Sequence, residues 1–219
     1  AQTLYAMGRF GEAQAALPKD EAHADACLSA EALQLHACCH ALQDETDEGL
    51  ALAEMAQTTW PNRLEALHAQ IQFLFLIDVR EAGYAVGQKY LQAARLGDTE
   101  EHGAWAVLMA QWSQSTPPGR VDPVKAHTAL SWLRAHAPVK AAIGEAIHAE
   151  TCFRHTPAEA LVWLEHALDL ADKFGQHHLK ARLLHLKSRS LDAAGRLAEA
   201  GRFLDLARDT ARRQGAWRY

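Results

Sequence analysis

The stretch that decides the fold runs from Thr156 to Gly175 and reads TPAEALVWLEHALDLADKFG. A threonine followed by proline is typical of the first turn of a helix, and the closing glycine suits the left-handed residue that ends one. Between them, large apolar residues recur every three or four positions, as they do on one face of a helix. The stretch therefore predicts one amphipathic helix that buries a single face.

The same pattern returns forty residues further along, where residues 196–215 read RLAEAGRFLDLARDTARRQG. Traces of it lie seventy-eight residues upstream, from Glu81 to Gly97, and at the start of the chain, from Gly8 to Ala13. Self-similarity at a spacing of this size indicates a repeat architecture, in which each unit is one pair of helices. Because the chain opens in the middle of such a pattern, we expect it to be a piece of a longer protein.

The repeat frame predicts where the helices lie. The second helix of each pair is expected to begin near residue 10, 46, 81, 122, 157 or 196. The first helices are expected at 1–7, 21–43, 61–79, 99–114, 139–154 and 176–194. Residues 1–219 form a single predicted domain, and the proline-rich stretch 115–123 predicts a weak boundary within it.

Composition supports an all-α fold and excludes several function classes. About a fifth of the residues are alanine, the best helix former, while strand formers are sparse. The net charge of −5 and the absence of a basic stripe argue against direct nucleic-acid binding. The strongly apolar run Phe73–Ile77 is much too short to cross a membrane. The four cysteines lack the spacing of a disulfide framework, which favours a reducing, cytoplasmic compartment.

The last pair of helices carries a family resemblance. Its key residues are Leu184, Ser188 and Leu191 on the first helix, Gly195 at the turn, and Ala200, Leu204 and Ala207 on the second helix. This arrangement resembles the tetratricopeptide (TPR) repeat, in the longer-unit form found in large bacterial transcription and signalling regulators. The resemblance implies a right-handed α–α superhelix, or solenoid, of about six antiparallel hairpins. It also implies a concave groove that binds a peptide, a partner domain or an output domain of the same chain.

Three residues of the last pair are candidates for that groove. Arg182, His185 and Arg189 share one face of the first helix, and the resemblance implies that this face lines the groove. A basic patch there would pair with acidic side chains or with the terminal carboxylate of a peptide. The competing interpretation is an ordinary solvated helix face.

An aromatic stripe suggests a different kind of site. Trp105, Met109 and Trp112 have i, i+4, i+7 spacing, so they share one helix face. They would form either the floor of a pocket, as in a small-molecule sensor, or the packed core of a hairpin.

Histidine and cysteine residues raise a third hypothesis, a metal-binding all-α enzyme. The candidate groups are His36, Cys39 and His40 on one helix, and His148, Cys152 and His155 on another. Neither group has a further strong ligand nearby, so the sequence predicts no metal site and no cofactor. No catalytic motif is present, so a non-enzymatic protein is expected.

Overall fold

The computed structural model describes residues 1–17, 26–61, 63–96, 100–114 and 122–216. All regular structure in these ranges is helical, which confirms the all-α prediction. A short 3-10 turn at His177–Leu179 precedes the eleventh helix. The α-helices are α1 (Gln2–Ala6), α2 (Phe10–Ala15), α3 (Ala26–Leu42), α4 (Thr46–Thr59), α5 (Leu64–Leu76), α6 (Arg80–Leu96), α7 (Glu100–Gln114), α8 (Pro123–His136), α9 (Pro138–Cys152), α10 (Pro157–Lys173), α11 (Lys180–Ala193) and α12 (Leu197–Gln214).

Local sequence signals place the helix ends. The even-numbered helices begin at residues 10, 46, 80, 123, 157 and 197, each within one residue of the predicted start. Asp122 caps α8, because its carboxylate accepts hydrogen bonds from the backbone N–H groups of Val124 and Lys125 at 3.2 Å. Gly175 and Gly215 have φ values of +66° and +68°, the left-handed conformation expected after a helix. Gly97 lies outside the described residues.

Helix contacts follow a regular order along the chain. Each helix packs on the next one, and each odd-numbered helix also packs on the next odd-numbered helix, from α1 through to α11. The odd-numbered helices therefore form one continuous layer. The right-handed superhelix of six hairpins stays a prediction.

The hydrophobic core is shared between neighbouring helices. One cluster of buried side chains extends from α3 to α9, and a second joins α9, α10 and α11. Helices α7 and α8 flank the predicted weak boundary at 115–123, and both contribute to the first cluster. Residues 115–121 themselves lie outside the described part of the chain. Among the described residues, no helix combines the length and apolarity needed to cross a membrane.

The two ends of the chain meet. A third cluster contains Phe10 of α2 together with Ala181 of α11 and Ala211 of α12. The Tyr5 ring lies 4.7 Å from the His178 ring, and His178 Nδ1–H donates a hydrogen bond to the Ala6 carbonyl at 3.4 Å. The helices at the start of the chain therefore pack directly against those at its end.

One glycine permits a close helix approach that alanine would disturb. A Cβ atom on Gly49 in α4 would lie 2.5 Å from Phe73 Cε2 and 2.9 Å from the Ala37 carbonyl oxygen. We expect Gly49→Ala to lower the free energy of unfolding by about 1–3 kcal/mol, since the backbone oxygen can move only if α3 and α4 separate. Urea unfolding followed by circular dichroism measures the change.

Gly201 supplies the matched control for this substitution. It lies within α12, and a Cβ atom added there would meet no atom within 4 Å. Gly201→Ala is therefore expected to raise the free energy of unfolding by about 0.5–1 kcal/mol, because alanine is the better helix former. Equal effects of the two substitutions would contradict the tight approach at Gly49.

Candidate functional site

The layer of odd-numbered helices lines a cavity of about 960 Å³. All six odd-numbered helices contribute to its wall, together with Trp132 of α8 and the 3-10 turn before α11. A volume near 1,000 Å³ lies at the upper end of the range for small-molecule sites. Because its lining comes from nearly the whole chain, this cavity is the leading candidate for a functional site.

A chain of hydrogen bonds crosses the wall of the cavity. Gln34 Nε2 donates to Gln72 Oε1, and Gln72 Nε2 lies 2.7 Å from His68 Nε2. The Tyr90 hydroxyl lies 3.1 Å from His68 Nδ1 and 2.8 Å from His102 Nδ1. Helices α3, α5, α6 and α7 are thereby linked through polar side chains.

The direction of these hydrogen bonds follows from donor and acceptor chemistry. The Gln72 amide donates to His68 Nε2, so His68 holds its proton on Nδ1 and donates it to the Tyr90 oxygen. The Tyr90 hydroxyl then donates to His102 Nδ1. Burial, followed by the charges of His102 and Lys140, lowers the pKa of His68 to about 3, so its ring stays neutral. The cavity wall therefore presents a fixed pattern of donors and acceptors.

Charged groups stand on another part of the wall, at the beginnings of α7 and α9. Lys140 forms an ion pair with Glu101, and Trp132 Nε1 donates to Glu100 Oε2 at 2.7 Å. The Lys140 side chain is 55% exposed, so this corner of the cavity contacts solvent. Opposite charges lie together here, and this corner does not by itself select a strongly charged ligand.

Arg182, predicted to line a groove, lies in the cavity wall and is buried. Its Nη2 donates to Glu150 Oε2 at 2.8 Å and to the Phe75 carbonyl at 3.0 Å, and its guanidinium lies 3.9 Å from the centre of the Phe75 ring.

Arg189 lies 3.7 Å from Glu150, and its guanidinium lies over the Phe153 ring. His185 is half-buried between the two arginines, and burial lowers its pKa to about 4. The positive charge predicted for this face is thus already balanced in part by Glu150.

The aromatic stripe divides between cavity and core. Trp105 lines the cavity, whereas Met109 and Trp112 are fully buried in the hydrophobic cluster. The Trp112 ring packs against Phe75 with a centroid distance of 5.2 Å. Among the described residues, neither the buried Trp105 Nε1 nor the buried Gln176 Oε1 has a hydrogen-bond partner. Both residues line the cavity, but these two atoms are themselves shielded from solvent, so a ligand reaches them only if a side chain moves.

No family model, curated protein or solved structure matches this chain. The resemblance to the TPR family therefore stays a prediction, and the function is inferred from the cavity itself.

Neither of the two histidine and cysteine groups suggested by helical spacing brings three ligand atoms together among the described residues. His40 Nδ1 lies 2.6 Å from Glu45 Oε2, and the centre of its ring lies 4.8 Å from that of His36, with the two rings tilted by 32°. Burial raises the pKa of Cys38 and of Cys39 to about 12, so both remain thiols at neutral pH. In the other group, His148 is buried but His155 is exposed beyond the end of α9.

Proposed function

We propose that this chain is a TPR-like helical-repeat domain that binds a small, polar organic ligand in its interior cavity. The observation that carries the proposal is the 960 Å³ cavity, whose wall is built by all the odd-numbered helices. The regular order of helix contacts supports the repeat architecture, with six hairpins forming about one turn of a superhelix. In this proposal the domain acts as the sensor of a cytoplasmic regulator.

The side chains that line the cavity indicate which chemical class of ligand would fit. Trp105 and Phe75 offer apolar and aromatic surface, and Gln72 and His68 belong to an ordered hydrogen-bond chain. These hydrogen-bonding side chains call for a ligand that carries polar groups as well. Lys140 is paired with Glu101 and Arg182 with Glu150, so a neutral molecule with an aromatic or apolar part fits best.

Recognition of a protein or peptide is the competing function. An extended peptide needs a long open groove, whereas here the first and last helices contact each other through Tyr5, Ala6 and His178. Arg182, proposed as a peptide anchor, is held by Glu150 and by the backbone of α5. These contacts favour a compact ligand over an extended one.

A thermal-shift screen with neutral aromatic and heterocyclic metabolites tests the proposal. A ligand at one hundred times its Kd stabilises the folded state by about 2.7 kcal/mol. For a chain of this size that corresponds to roughly 5–10 °C in Tm. A screen in which only peptides raise the Tm would support the competing function instead.

Two variants show whether a hit binds in the cavity. Ala146 is buried on the cavity wall, and Ala146→Trp would fill part of the space, so the ligand-induced shift should disappear. Ala198→Trp places the same ring on the exposed start of α12 and should leave the shift intact. A shift that survives Ala146→Trp unchanged would place the ligand elsewhere and overturn the proposal.

A further inference from the structure

Three metal-binding side chains from three helices meet at one end of the α8–α9–α10 unit. His127 lies in the first turns of α8, His148 in the last turns of α9 and Glu159 in the first turn of α10. One donor atom from each lies within 4.8 Å of the other two. Among the described residues, no other group of three histidine, cysteine or acidic side chains meets this condition.

The topology explains why these positions coincide. Short connections join α8 to α9 and α9 to α10, and the helices run in alternating directions. The start of α8, the end of α9 and the start of α10 therefore lie side by side. None of the three side chains lines the interior cavity, so this site is independent of the proposed ligand site.

His148 is the side chain that most needs a partner. It is only 3% exposed, and neither ring nitrogen has a hydrogen-bond partner among the described residues. The closest acidic atom, Glu159 Oε1, lies 3.9 Å from His148 Nε2, which is too far for a hydrogen bond. Buried polar groups in native proteins are normally satisfied, so an imidazole in this state requires an explanation.

A bound metal ion would explain why the buried His148 ring has no hydrogen-bond partner. We propose that His127, His148 and Glu159 bind a zinc ion. Two imidazole nitrogens and one carboxylate are a ligand set that zinc uses in sites with an open fourth position. Hard cations such as calcium and magnesium prefer oxygen ligands alone.

The distances suit closure around an ion. His127 Nε2 and His148 Nε2 lie 3.8 and 3.9 Å from Glu159 Oε1. Zinc bonds of about 2.0–2.1 Å in tetrahedral geometry place ligand atoms about 3.3 Å apart. The side chains of His127 and Glu159 are 50% and 43% exposed, so both are able to make this small movement, and the ion has a route from solvent.

Trp163 completes the surroundings and supplies a spectroscopic signal. Its ring centre lies 5.1 Å from that of His148 and 5.4 Å from that of His127. Its Nε1–H points to Glu159 Oε1 at 3.4 Å, so it helps to orient the carboxylate. Binding of a paramagnetic ion such as Co²⁺ should quench the fluorescence of Trp163.

The experiment uses the whole chain after removal of metal by chelation. Calorimetric titration with ZnCl₂ is expected to give one equivalent of bound zinc, and Co²⁺ should produce the visible absorption bands of a tetrahedral site. His148→Ala and Glu159→Gln should each weaken zinc binding at least about 100-fold, because each removes a direct ligand. His127→Ala, at an exposed position, should have the same effect.

His155→Ala is the matched control, since His155 is exposed nearby but belongs to no cluster. It should bind zinc as the parent chain does, and Trp163→Phe should bind zinc while losing the Co²⁺ quenching. Absence of stoichiometric zinc binding would overturn the proposal. Equal weakening by His155→Ala and His127→Ala would also overturn it, because it would indicate adventitious binding by surface histidines.

Discussion

Glu150→Ala is expected to lower the free energy of unfolding by about 3–5 kcal/mol, among the largest effects of any single substitution in this chain. The Glu150 side chain is 1% exposed and accepts hydrogen bonds from Arg182 at 2.8 Å and from Arg80 at 3.2 Å. Both arginine side chains are 8% exposed. Removing the carboxylate would take away the buried negative charge that these two guanidinium groups share, which costs far more than the loss of an exposed ion pair.

Arg182 cannot escape to solvent without further loss. It also donates to the carbonyl oxygens of Phe75 and Leu76 at the end of α5, so its withdrawal would break the link between α5, α9 and α11. These helices border the cavity, and the substitution should therefore also weaken any ligand that binds there.

Urea unfolding of Glu150→Ala and Glu199→Ala separates the buried network from an ordinary ion pair. Glu199 pairs with Arg196 at 2.7 Å, but both side chains are about half exposed to solvent, so its loss should have only a small effect on stability. Glu150→Gln keeps the shape and one acceptor and should fall between the two. If Glu150→Ala were no more costly than Glu199→Ala, the buried network would not hold these helices together.

Helix positions could be predicted from the sequence because their signals are local. Thr156-Pro157 and Gly175 lie within a few residues of the ends that they define. The turns before α4 and α6 are harder to align with the repeat. They have Asp44 and Asp78 at the position that Gly8 and Gly195 occupy before α2 and α12. All four residues adopt positive φ, between 55° and 75°. Aspartate tolerates this conformation better than most residues, so the backbone repeats where the sequence does not.

The wall of the cavity could be predicted only in part. Helical spacing places Trp105, Met109 and Trp112 on one face, but which of them meets the cavity depends on how α5 and α9 pack against α7. Likewise, the sequence shows a positive face at Arg182 but not its acidic partner, which lies thirty-two residues away on α9.

The cluster that we propose as a zinc site shows the same limit more clearly. Spacing along α9 suggests only the candidate group of His148, Cys152 and His155, and of these only His148 belongs to the cluster in the structure. Its other members, His127 and Glu159, come from the two neighbouring helices. Ligands that converge from three helices leave no pattern at a fixed spacing, so only the packing reveals them.

Acid should destabilise the fold through histidines that are neutral in the folded state. Burial lowers the pKa of His68 to about 3 and that of His178 to about 4. The unfolded chain takes up these protons near pH 6.5, whereas the folded chain resists them until about pH 3–4. The stability contributed by the neutral rings is therefore present above about pH 6.5 and is lost progressively as the pH falls towards those folded-state values.

The expected loss is about 1 kcal/mol per histidine for each pH unit below about pH 6, after allowance for solvent screening. Urea unfolding between about pH 7 and about pH 5 measures it before most carboxylates titrate. His178→Leu should reduce the slope of the unfolding free energy against pH by the contribution of one histidine. His155→Leu, at an exposed position, controls for the loss of one imidazole. Equal slopes in the two variants would contradict the assignment to His178.

The location of these histidines links the acid effect to the cavity. His68 belongs to the hydrogen-bond chain of the wall, and His178 joins α1 to the last helices through Ala6 and Tyr5. Protonation of His178 near pH 4 would place a buried charge at the contact between α1 and the turn before α11, so the protection of the α1 amide hydrogens should fall more steeply there than that of the main-core helices. His178→Leu should keep α1 protected under the same conditions, whereas equal exchange in both proteins would mean that this contact does not sense pH.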